Sequence, residues 1–184
     1  MPRYSLCVTQ GQTLPNLWLV SDQRNDAVLD AALRRLPRGS GFVFRHYHLG
    51  EAARANRFRD LRALARAMGH VAIVSGPQEQ AAAWQADGVY GPAKRLGSPG
   101  GLLRLASAHD GDELQAAIAA GADGVFLSPV FPTASHPGAP TLGPMGFHML
   151  AQQSAIPVIA LGGMNAQRAE ELGWPRWAAI DGLS

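Results

Sequence analysis

Short apolar runs recur along this chain, each closed by glycine, proline or hydroxylic residues. The first is Leu17-Trp18-Leu19-Val20, and similar runs fall at 41–45, 71–74, 87–91, 102–106, 125–127, 157–161 and 177–180. Within each run apolar residues are nearly continuous rather than alternating, the pattern of parallel strands covered on both faces. Helical signals lie between them. Asp22, Asn25 and Asp26 open a helix ending near Pro37 and Gly39, and residues 51–68 place Phe58, Leu61, Leu64, Ala65 and Met68 on one stripe. A short helix spans 78–86. Asp110 and Glu113 stand at capping-box spacing before a helix closed by Gly121, residues 147–153 form the core of the next, and Asn165 caps one ending at Leu172-Gly173. The glycine- and proline-rich passage 91–101 has little room for a helix.

Eight strand signals alternating with about seven helix signals favour a closed barrel over an open doubly wound sheet. Such barrels usually need at least ~200 residues. With 184, the expected fold is a compact α/β (β/α)8 TIM barrel in one domain, residues 1–184, with its final helix missing or truncated. The segment Ala86-Asp87-Gly88-Val89-Tyr90 is echoed by Ala122-Asp123-Gly124-Val125-Phe126, each opening a strand. Repeated units produce such echoes, and so do two independent solutions to one helix-to-strand turn.

Composition narrows the function classes. A 47% hydrophobic content with 16% charged residues describes a folded soluble chain, and no apolar run is long enough to span a bilayer. Cys7 is the sole cysteine, which excludes an internal disulfide framework, and polar Thr9, Gln10 and Gln12 leave no apolar signal-peptide core. The expected location is cytoplasmic. A net charge of +2 gives no case for nucleic acid, and Arg59, Arg62 and Arg66 read as a solvated helix face. A homo-oligomer is compatible with the sequence.

The stretch 121–164 carries most of the chemistry. Its two apolar runs each end in small or hydroxylic residues, as strands do when their carboxyl ends open into a ligand site. Gly162 and Gly163 follow a buried strand and precede a helix near Asn165, so their amides can approach a phosphate closely. Thr133 and Ser135 follow the sixth strand and Ser107 and His109 the fifth, where hydroxyls and imidazole can meet anionic oxygens. Gly182 ends the last strand beside Asp181, close to the same place. After the second strand, alternation predicts His46 and His48 on one face and Arg45 and Tyr47 on the other. No histidine spacing carries a zinc signature, so no metal site is assigned.

The runs 121–133, 138–143 and 157–164 resemble thiamine phosphate synthase, and 87–91 with Ser107-Ala108-His109 resemble weaker landmarks of that family and its TenI-like relatives. The resemblance implies a phosphate-binding barrel acting as a transferase on small phosphorylated substrates. Hydroxymethylpyrimidine diphosphate and thiazole phosphate would be joined, with pyrophosphate released with help from Mg²⁺. It also implies contacts from Thr133 and Ser135 to phosphate, beside Gly162 and Gly163; residue type and place add Gly182, Ser107 and His46 as phosphate-binding candidates and Arg45, His109 and His136 as catalytic ones. This chain departs from the family pattern at the metal. Ser75-Gly76 stands where the family carries Asn-Asp, no aspartate lies between Gly91 and Gly101, and His136 replaces a lysine. Mg²⁺ is thus expected from the family, yet its usual carboxylate ligands are absent. Cationic or titratable groups persist at Arg45, His46, His48, Lys94 and His136. Two other readings stay open: a TenI-like thiazole tautomerase, although Pro129 stands where its histidine is expected, and a non-catalytic thiazole-phosphate binder.

Overall fold

Eight parallel strands pair in chain order and close on themselves, with β8 lying back against β1. A computed structural model describes residues 14–135 and 137–183. The strands are β1 (Leu17–Val20), β2 (Gly41–Phe44), β3 (Val71–Ser75), β4 (Gly88–Pro92), β5 (Leu103–Ala108), β6 (Gly124–Leu127), β7 (Val158–Ala160) and β8 (Trp177–Ala179). The helices are α1 (Leu29–Arg35), α2 (Glu51–Ala67), α3 (Gln78–Ala83), α4 (Gly111–Ala119), α5 (Gly143–Gln152) and α6 (Ala166–Leu172). This is the (β/α)8 barrel expected from the alternating pattern, and β8 leads into a 3-10 turn, Asp181–Leu183. Among the described residues no helix is long and apolar enough to cross a membrane.

The continuous apolar runs conceal a period of two. Trp18 and Val20 join Val43, Ile73, Leu105, Phe126 and Ile159 inside the barrel, while Leu19, Phe42, Phe44 and Val74 pack outward against the helices. Gly41 makes room for this interior, because a Cβ there would overlap the Trp18 ring. Trp18 meets the edge of Phe126 at 5.6 Å between centroids, and Tyr90 meets Phe126 at 5.1 Å. These three rings form a column whose upper member, Tyr90, reaches the cavity at the strands' carboxyl ends. Edge-to-face contacts of this kind add to the apolar burial of each ring.

Several boundaries differ from the sequence reading for local reasons. Asp22 caps with a complete box to Asn25, but the chain then runs as a 3-10 turn, Gln23–Val28, before α1 begins. The third helix stops at Ala83 rather than 86 because Gln85 adopts a left-handed φ of 56°. The fourth helix is capped by Asp110, whose carboxylate accepts the Glu113 amide at 2.8 Å. Glu113 does not complete the expected box. Its side chain accepts instead from the backbone and ring of His109.

The face of α2 read as solvated does carry exposed Arg59 and Arg66, but the helix has two further arginines on another side. Arg54 reaches the carbonyls of Arg45 and Ser75 at 2.8 and 2.6 Å, and Arg57 engages Asp26 and Asp30. Arg54 thereby ties the ends of β2 and β3 to one helix. Burial lowers its pKa from the ordinary arginine value, with nearby Tyr47 opposing the shift.

Candidate functional site

A cavity of about 1280 Å³ opens where the strands end. It exceeds the ~300–1,000 Å³ usual for one small ligand, so it has room for two reactants side by side. One side is built by the segments after β6, β7 and β8. The other is built by those after β2, β3, β4 and β5.

On the first side the backbone itself forms the wall. Gly162 and Gly163 adopt φ of 95° and 63°, a region that side-chain-bearing residues rarely enter. Space forbids a side chain as well. A Cβ on Gly162 would lie 2.6 Å from Pro129 Cα, one on Gly163 would strike the Pro132 carbonyl, and one on Gly182 would strike that of Met164. Thr133 and Ser135 line the same side from the β6 loop. Part of Thr133's bonding is local, since its Oγ1 accepts the Ser135 amide at 3.3 Å. The following helix, α6, has only seven residues, and Asn165 already accepts the Arg168 amide at 2.9 Å. Its dipole therefore adds little to what the glycine amides offer.

Two arginines that the sequence reading missed organise this side. Arg168 donates to the Gly163 carbonyl, and its guanidinium lies 5.0 Å from the Phe131 ring centre. Arg24 donates to Ser135 Oγ at 2.9 Å and to Asp22 at 3.0 Å, and lies 3.4 Å from Asp181. Asp181 thus faces a cation close to the expected phosphate position, which offsets its charge. Arg24 sits in a polar turn and Arg168 on an ordinary helix. Nothing in their local patterns marks them, because their partners are distant in sequence.

The second side gathers Arg45, Tyr47, Ser75, Tyr90, Arg95 and Ser107. Tyr47 Oη and Ser75 Oγ share a hydrogen bond of 2.6 Å. Burial pushes the Tyr90 phenol up to about 12, against the pull of Arg45, so it keeps its proton at neutral pH. His109 also lines the cavity, with its Nδ1 2.8 Å from the Glu113 carboxylate. His136 lies outside the described residues.

His46 is not on the wall, which overturns its expected phosphate-binding role, although the alternation after β2 holds: Arg45 and Tyr47 line the cavity while the His46 and His48 rings lie together away from it, 5.1 Å apart. The strand ends at Phe44, and His46 takes a φ of 41°, which turns its ring beneath the mouth. There it is 1% exposed and stacks on Phe44 at 4.7 Å, with Nδ1 2.8 Å from Ser21 Oγ and Nε2 2.9 Å from Asp26. The approach to Asp26 is bent away from the N–H direction, making it a close electrostatic contact rather than a full hydrogen bond. Burial lowers the His46 pKa despite the opposing pull of Asp26. Among the described residues no three His, Cys, Asp or Glu side chains converge on a common point.

The thiamine monophosphate synthase family model matches residues 17–180. The thiamine-phosphate synthase of Geobacillus thermodenitrificans is 30% identical over 180 residues, spanning 91% of this chain and 80% of that protein. That of Chloroflexus aurantiacus is 30% identical over 167 residues, with 86% and 74% covered. Among solved structures, the thiamine phosphate pyrophosphorylase of Pyrococcus furiosus superposes with a TM-score of 0.75 at 26% identity, covering 91% of this chain and 86% of the other. With the match extending over nearly the whole barrel, the chain belongs to the thiamine monophosphate synthase family.

Proposed function

We propose that this protein joins a hydroxymethylpyrimidine diphosphate to a thiazole phosphate, giving thiamine phosphate and pyrophosphate. The observation that carries this reading is a single chamber with a glycine-walled side fit for a phosphate monoester and a facing side rich in cationic and hydroxyl groups. In the reaction the bond between the pyrimidine methylene carbon and the diphosphate oxygen breaks, and the thiazole nitrogen forms the new carbon–nitrogen bond. The electron pair of the broken bond leaves with pyrophosphate. A fixed array of donors stabilises that departing charge better than water, because it needs no reorganisation as the charge develops.

In this reading the amides of Gly162 and Gly163 hold the thiazole phosphate, joined by Thr133, Ser135 and the backbone at Gly182. Arg45, with Ser107 beside it, faces the diphosphate. Tyr90 offers a neutral phenol as a fixed donor at the chamber floor. His109, at the mouth beside Glu113, can donate to an anionic oxygen. The wide chamber matters because both substrates must be present together for nitrogen to meet carbon.

The direct test supplies both substrates and measures thiamine phosphate by chromatography, with and without added Mg²⁺. Formation of product in proportion to enzyme supports the synthase. Binding of thiazole phosphate with no product from any combination would make the protein a binder and sink the reading.

A further inference from the structure

Mg²⁺ bound by a protein usually takes one or two carboxylates together with substrate phosphate oxygens and water. All 14 Asp and Glu residues of this chain fall within the described segments, because residues 1–13, 136 and 184 contain neither type. Of these carboxylates only Asp181 lines the cavity, and it lies on the β8 side facing Arg24 at 3.4 Å. Asp22, nearby, is taken by Arg24 and Arg45. Glu113 is turned to the backbone and ring of His109. The side facing the glycines therefore has no carboxylate to give a divalent ion, and the residues present do not fit Mg²⁺.

That side is equipped differently. Behind Ser75-Gly76 the backbone is held by Arg54, which donates to the Ser75 carbonyl and to Gln80 Oε1. A Cβ on Gly76 would collide with the same Gln80 oxygen, so no longer residue fits there without displacing this contact. The Ser75 hydroxyl is engaged by Tyr47. Two guanidinium groups then face the space: Arg45, whose nearest carboxylate is Asp22 at 3.7 Å, and Arg95, on the 3-10 turn Ala93–Arg95, which forms no ion pair among the described residues. Arginine presents a planar fork of donors that matches phosphate oxygens two at a time, and it stays charged across the working pH range.

We infer that the β2–β5 side of the cavity is a metal-independent diphosphate site in which Arg45 and Arg95, with the Tyr47 and Ser75 hydroxyls, replace a carboxylate-held divalent cation. The site rests on the proposed synthase reading only for the identity of its natural occupant. Its anion chemistry stands on the charge balance, since the cavity wall carries Arg45, Arg95 and Arg168 against one paired carboxylate.

The test is calorimetric titration of the purified protein with inorganic pyrophosphate, once in excess EDTA and once in excess MgCl₂. The expected result is saturable binding in EDTA at least as tight as in Mg²⁺, weakened by ~10-fold or more in Arg95→Met, the loss of one charge-assisted contact. Arg95 lies on an exposed turn, so this variant keeps its fold, which thermal melting verifies. Arg45→Met is the second variant, with the same expectation. Gly163→Leu, which blocks the opposite side, should leave pyrophosphate affinity within about threefold. Binding that requires Mg²⁺ overturns the inference, as does no binding in either buffer, or binding lost in Gly163→Leu but kept in both arginine variants. The synthase reading fails separately: metal-free pyrophosphate binding without thiamine phosphate formation sinks the activity and leaves the anion site standing.

Discussion

Ser21 Oγ lies 2.8 Å from Nδ1 of His46, and the same oxygen accepts the backbone amide of Arg45 at 2.8 Å. Ser21 accepts from Arg45 and has its own proton to give to His46 Nδ1; in that arrangement the neutral His46 carries its proton on Nε2, the nitrogen facing Asp26. Ser, His and Asp are the residue types of a nucleophilic triad, but here the serine meets Nδ1 and the carboxylate Nε2, and Ser21 is 0% exposed. No substrate reaches it. The network instead holds the Arg45 backbone at the end of β2, beneath the cavity.

This burial makes stability depend on pH. Burial holds the folded pKa of His46 below its ordinary 6.5, outweighing the attraction of Asp26. Below 6.5 the unfolded chain binds a proton that the folded chain refuses, so the His46 contribution is complete above that value and lost as pH falls through the folded pKa. Asp26, whose carboxyl is held below 3.8 by His46 and Arg57 against its own partial burial, shifts stability in the same direction at still lower pH. Urea midpoints measured at pH 8 and at pH 5 should fall with acidification in the parent, and fall less in His46→Gln. A variant with the parent's full pH slope assigns the effect elsewhere.

Gly163→Leu should abolish phosphate binding. The substitution meets both a φ of 63° and the Pro132 carbonyl, so the turn must move and its amide with it. Affinity for thiazole phosphate should drop at least ~100-fold, about 2.7 kcal/mol. Circular dichroism should stay unchanged because β7 ends before the turn. Calorimetry showing parental affinity would mean the monoester binds somewhere else.

Arg24 links Asp22, Ser135 and Asp181, three segments brought together only by barrel closure. Arg24→Ala should leave the Asp181 carboxylate uncompensated at the phosphate side and weaken monoester binding by ~10-fold, an effect screened by salt. Adding Asp181→Asn to that variant should recover most of the loss. Failure of the second change to restore affinity would show that Arg24 acts through Ser135 alone.

How much of this was legible beforehand follows from the range of each signal. The barrel was readable because apolar runs, caps and glycines such as Gly121 and Gly173 are local marks repeated through the chain. The glycine wall was readable for the same reason, since Gly162 and Gly163 end a strand. Alternation after Phe44 correctly separated Arg45 and Tyr47 from His46 and His48, but it did not tell which side opens into the cavity, and His46 lies on the other one with a positive φ. Arg24, Arg168, Tyr90 and Arg95 were missed for a different reason. Their relevance comes from strand order in space, and an arginine bonded 111 residues away in Ser135 leaves no mark beside it.

Arg54 carries no local mark of its role either, yet its position predicts one of the larger stability effects in the molecule. Its guanidinium donates to the Arg45 and Ser75 carbonyls and to Gln80, and packs over the Phe44 and Trp84 rings at 5.6 and 5.2 Å. Removing it leaves two strand-end carbonyls without this partner and uncovers apolar surface, which together cost about 2–4 kcal/mol for Arg54→Ala. Arg54→Lys keeps the charge but a single ammonium cannot reach all three oxygens, so it should recover less than half of that loss. Because the same side chain holds the ends of β2 and β3 in register, pyrophosphate binding should weaken along with stability, while thiazole phosphate affinity changes little. Equal loss of both ligands would show a general loosening of the barrel rather than a local one.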